Sequence, residues 1–87
     1  MKMIIAIIRD VDTDPVTQAL TGAGLRVTRI ASTGGLLRRG VTTLLMGVDE
    51  GHVEPAIHLI KDKCGPASGN EKRATVFVVP VTNFMQI

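Results

Sequence analysis

The strongest constraint on the fold is a pattern that occurs twice. An apolar run, Ile4 to Ile8, is followed by Asp14-Pro15 and an amphipathic stretch, and a second run, Leu44 to Val48, is followed by Glu54-Pro55 and another. Asp14-Pro15 predicts a helix start, because aspartate caps free N–H groups and proline at the first helical position loses no hydrogen bond. Val16, Ala19, Leu20 and Ala23 then recur at i, i+3, i+4 and i+7, one apolar stripe, and Gly22 and Gly24 end the helix. In the second half Asp49 or Gly51 is the expected cap. Pro55 is expected in the first turn, and Val53, Ile57, Ile60 and Cys64 form the stripe.

Three further apolar segments complete the order. Leu25 to Ser32 alternates apolar and polar residues and reads as a second strand, Thr42 to Val48 is a third, and Ala74 to Val79, ended by Pro80, is a fourth. The order β-α-β-β-α-β predicts an α+β domain over residues 1–87: a ferredoxin-like βαββαβ sandwich, with an antiparallel sheet carrying both helices on one face. The other face then needs a cover. A chain of 87 residues that is 45% hydrophobic has no second layer to supply it, so a partner subunit in a closed cyclic oligomer is expected. The tail is apolar at Val81, Phe84, Met85 and Ile87, and is expected to pack on this subunit or a neighbour.

Between the second and third strands lies Thr33-Gly34-Gly35-Leu36-Leu37-Arg38-Arg39-Gly40. Paired glycines let backbone N–H groups converge on an anion, and Arg38 and Arg39 can add charge-assisted hydrogen bonds to its oxygens. The plainer reading is a long hairpin connection with a solvated basic tip.

Composition narrows the chemistry. Ten basic and eight acidic residues in mixed order give a net charge of +2, too small an excess to imply a polyanion partner. Cys64 is the single cysteine, which leaves no intrachain disulfide, cysteine zinc site or redox pair. His52 and His58 stand six apart on different helix faces, so no metal is expected. Asp10, Asp12 and Asp14 lack the glycine and distal glutamate of a calcium loop and read as turn and cap residues. Serines occur only at Ser32 and Ser68, without a nominated base, and no enzyme activity is expected. The chain has no tyrosine or tryptophan and only Phe77 and Phe84 as phenylalanines, which argues against stacking nucleic acid on the sheet. The first apolar run is too short to span a membrane and lacks a cleavage site, predicting a cytoplasmic protein with no membrane partner.

Met3-Ile-Ile-Ala-Ile7, Asp10, Arg26-Val-Thr28, Ala31-Ser-Thr-Gly-Gly35, Leu37-Arg38, Gly40-Val-Thr-Thr43, Ala74 to Val81 and Gln86 together resemble the PII-like cyclic-di-AMP receptor family. The resemblance covers most of the chain. It implies a PII-like homotrimer that binds cyclic-di-AMP, or a related adenine nucleotide, in clefts between subunits and relays its level to a protein target through loop conformation, with no cofactor. By position it implies ligand contacts from Arg26 and Thr28 on the second strand, Gly35, Leu36 and Leu37 in the loop, Gly47, Phe77 and Gln86. Typical members carry asparagine where this chain has Gly24 and Val41 and an aromatic where it has Leu36, and their connection matching residues 65–73 is longer. The alternative is a trimeric interaction module of the same fold with a vestigial cleft.

Overall fold

The computed structural model describes residues 1–32, 40–67 and 69–87. The chain runs β1 (Lys2–Arg9), a 3-10 turn at Asp10–Asp12, α1 (Thr13–Gly22), β2 (Thr28–Ser32), β3 (Val41–Val48), α2 (Glu50–Lys63) and β4 (Ala74–Pro80). The strands form one sheet in the order β2-β3-β1-β4, and every neighbouring pair is antiparallel. This is the α+β arrangement expected from the element order.

The core follows from strand alternation. On β1, Ile4, Ala6 and Ile8 are fully buried, and on β3 their neighbours Leu44, Met46 and Val48 are nearly so. Val16 and Leu20 of α1 and Ala56 and Ile60 of α2 close over this same surface, so both helices lie on one face of the sheet. Each such aliphatic side chain contributes roughly 1.5–3 kcal/mol by leaving water. The intervening residues Met3, Ile5, Ile7 and Leu45 point to the opposite face, where they stay half-buried and no second layer over them is formed among the described residues.

Element ends depart from the sequence reading where local hydrogen bonding intervenes. Helix α1 begins at Thr13 rather than Asp14, with Asp12 at its N-cap position, and Pro15 still falls in the first turn. Helix α2 begins at Glu50, which puts Pro55 in the second turn rather than the first. Gly51 and Pro55 are both exposed, so the carbonyl that loses its donor is hydrated, which lowers the cost of the break. The buried stripe of α2 is centred on Ala56, Ile60 and Cys64, with Val53 and Leu59 packed beside it; Ile57 sits at its margin.

Strand β2 begins at Thr28 rather than Leu25. The Leu25 N–H is used elsewhere, donating to the Leu20 carbonyl at 3.1 Å while Gly24 donates to Thr21 at 3.0 Å. These two bonds form a Schellman motif, which requires the left-handed backbone that Gly24 supplies at φ +88°. Leu25 then packs on the core, and the chain turns before pairing begins. A register shift between Arg29 and Ala31 marks a bulge in β2, and Ile30 is 55% exposed there.

Arg9 ties the far end of β1 to the α2–β4 connection. Its guanidinium donates to Asp12 Oδ2 at 2.7 Å, to the carbonyls of Gly65 and Pro66 at 2.8 and 3.0 Å, and to Glu71 Oε1 at 3.2 Å. The hydrogen bond to Asp12 leads the effects that hold this guanidinium more firmly protonated than usual. Asp12 Oδ1 in turn accepts the Gly65 N–H at 3.0 Å. Asp10 accepts the Thr42 hydroxyl through Oδ1 and donates its backbone N–H to the Gly40 carbonyl at 3.0 Å. The acidic residues after β1 are therefore turn and pairing groups, and no metal-ligating cluster occurs among the described residues.

Two outcomes are expected. Leu44→Ala, at a fully buried site in a central strand, lowers the unfolding free energy in urea by about 3 kcal/mol. Burial pushes the Cys64 thiol up from its usual value, so little thiolate forms at neutral pH. A thiol-specific reagent should label the folded chain at least about tenfold more slowly than the urea-unfolded one.

Candidate functional site

Where β1 begins and β3 ends, the sheet's open face meets the chain leaving α1 and the C-terminal tail. A cleft of about 500 Å³ opens there. Its sheet side is built from Met3, Leu45 and Gly47, with Met46 between the last two along β3 and Thr28 beside Leu45 on the neighbouring strand. Arg26 lines it from the segment between the Schellman turn and β2, and Met1, Val81, Phe84 and Gln86 line it from the two termini. The tail is joined to the start of the chain by the Val81 N–H, which donates to the Met1 carbonyl at 3.1 Å.

Gly47 is the most telling of these residues. Glycine in a strand interior weakens it by roughly 0.5–1 kcal/mol relative to alanine, so it marks a close approach or a bend. Here the backbone is not left-handed, and a Cβ would meet only the Met1 Sδ at 3.7 Å, an ordinary contact. Neither conformation nor internal packing calls for glycine at this position. Its missing side chain instead leaves the cleft open between Met3 and Leu45.

The cleft's electrostatics are simple. Arg26 is exposed and has no ion pair or hydrogen bond among the described residues. Among the described residues no acidic side chain lines the cleft, and Thr28 and Gln86 add a hydroxyl and an amide. Arg29, three residues on, belongs to the other face, where its guanidinium donates to Asp14 Oδ1 at 3.2 Å. One unpaired guanidinium with uncharged polar groups beside apolar walls suits an anion that carries a flat or apolar body.

Of the residues singled out in the sequence, Arg26, Thr28, Gly47 and Gln86 come together here. Arg26 does so from a position preceding β2 rather than within it. Phe77 is not brought to this cleft; it lies on β4 opposite Ile5, on the open face and 52% exposed. Gly35, Leu36, Leu37, Arg38 and Arg39 lie outside the described residues. Sequence reasoning missed the methionines and Phe84 as cleft residues, although the apolar tail carried a signal: a segment with Val81, Phe84 and Met85 has to meet some surface.

The profile of the family described as "Cyclic-di-AMP receptor" matches residues 1–70. Among solved structures, the crystal structure of a functionally unknown protein from Pediococcus pentosaceus ATCC 25745 is similar at a TM-score of 0.80 with 29% sequence identity. The match covers 99% of this chain and 96% of that one.

If Gly47 is kept for the cleft rather than the fold, Gly47→Ala leaves stability unchanged or raises it by up to about 1 kcal/mol in urea unfolding. A loss of similar size would show that the glycine serves the fold.

Proposed function

The chain belongs to the cyclic-di-AMP receptor family, and from that premise we propose that it is a signalling protein that binds cyclic-di-AMP, or a related adenine nucleotide, at the subunit interfaces of a homotrimer. The family is one of receptors, and binding of cyclic-di-AMP is its described property. The observation that carries the proposal for this chain is the cleft itself, with the unpaired Arg26 beside a glycine that the fold does not need. A cyclic dinucleotide has phosphates for the guanidinium and for backbone N–H groups, and purines for apolar walls.

The interfacial location is supported by what the open face leaves uncovered. Val41 and Phe77 are 42% and 52% exposed, and the half-buried Met3, Ile5, Ile7 and Leu45 lie on the same face of the sheet. A second and third copy would cover this face and bring Phe77 and the 33–39 loop of one subunit toward the cleft of the next. In that assembly Gly35, Leu36 and Leu37 complete the wall, and the loop's conformation reports occupancy to a protein target. The short 65–73 connection is held by Arg9 through Gly65, Pro66 and Glu71.

Two side-chain amides are missing relative to typical members, at Gly24 and Val41. At Gly24 the Schellman turn explains the glycine. Leaving a buried base edge without its polar partner costs about 1–3 kcal/mol, so affinity is expected to be weaker than in typical members by one or more orders of magnitude. The same substitutions favour the second reading, a trimeric interaction module whose cleft no longer takes a ligand.

Calorimetry with cyclic-di-AMP, with ATP and cyclic-di-GMP as controls, separates the two. Binding to the wild type is expected, with Arg26→Ala weakening it by about 2 kcal/mol, roughly thirtyfold. No heat from an intact trimer would favour the interaction module. Sedimentation at micromolar concentration checks the assembly, and a monomer there would remove the interfacial site.

A further inference from the structure

From the cleft's composition we infer that Phe84, carried on the C-terminal tail, is a base-stacking residue of this site. This rests on the nucleotide-binding reading above. The chain has no tyrosine or tryptophan, and its histidines, His52 and His58, are on α2 and do not line the cleft, so Phe77 and Phe84 are left to present a π face. Within one subunit Phe77 stands on the sheet opposite Ile5 and does not line the cleft, so it could reach a ligand only from a neighbouring copy, whereas Phe84 lines the cleft of its own subunit. Phe84 is 61% exposed, so it is not held as part of the core. Its backbone lies three residues beyond Val81, whose N–H is fixed to the Met1 carbonyl, so the ring is delivered to the cleft by an anchored segment. Met1 and Met3 line the same space, and thioethers adapt to and attract the edge of an aromatic system. A purine entering the cleft covers the ring and these thioethers together, while Arg26 takes a phosphate. The tail thus supplies the apolar recognition and the segment before β2 supplies the charge.

The test uses four full-length variants, Phe84→Ala, Phe84→Leu, Phe84→Tyr and Phe84→Trp, titrated with cyclic-di-AMP beside the wild type and Arg26→Ala. Loss of the π face in Phe84→Ala and in Phe84→Leu is expected to weaken binding about tenfold or more, and Phe84→Tyr to retain it. Phe84→Trp introduces the chain's single tryptophan, whose emission is expected to be quenched by cyclic-di-AMP with the midpoint found by calorimetry. Phe84→Leu binding within about twofold of the wild type, while Arg26→Ala fails, would overturn the stacking assignment and leave the cleft reading standing. Weakened binding accompanied by loss of the oligomer in sedimentation also overturns it, by making Phe84 an assembly contact. A wild type that binds no nucleotide overturns both readings at once.

Discussion

Everything in this small fold depends on the antiparallel pairing of β1 with β3 beneath the two helices. Ile4 sits opposite Met46 and Ala6 opposite Leu44, so the register presents one continuous apolar surface to α1 and α2. Because side chains alternate with a period of two, a slip of one residue would turn this whole set outward. The same register therefore decides the other face. Met3 falls opposite Gly47, and Leu45 opposite Thr28 on β2, which is how a gap in the side-chain layer comes to lie beside a hydroxyl. The cleft is a consequence of the core's register rather than a separate construction.

Element ends then aim the remaining groups. The Schellman turn at Gly24 stops α1, commits Leu25 to the core and leaves Arg26 outside the ladder, where it lines the cleft. At the other end of β1, Arg9 and Asp12 hold the chain leaving α2, while Asp10 holds Thr42 and Gly40 at the start of β3. One short acidic turn thus fastens two connections, and its carboxylates are engaged by those contacts. Arg29 is engaged likewise by Asp14, and this contrast is what makes Arg26 stand out.

Several features were legible in the sequence because they are local. Turn residues and helical periodicity act over a few positions, so the element order, both helices, the central strands and the glycine stop after α1 could be read directly. The misreadings were also local, and each has a physical cause. The Leu25 N–H has two possible fates, ladder or helix cap, and the sequence pattern alone does not choose between them. Pro55 is tolerated a turn deeper than expected because that side of α2 faces water. Arg26, Thr28, Gly47 and Gln86 were reached through family resemblance rather than through any periodicity, since nothing in their spacing announces a common site.

The sequence by itself determined the class of fold and the order of its elements, both of which follow from apolar period and turn chemistry. Only the tertiary structure decided which residues share a cavity. Met1, Arg26, Gly47 and Phe84 meet through strand pairing between distant segments and through one terminal hydrogen bond from Val81 to Met1. Such long-range pairings depend on burying the opposite face of the same strands. A residue's own neighbours in the chain carry no record of that partner, and so Phe84 reads as an apolar tail residue until the fold brings it to Arg26.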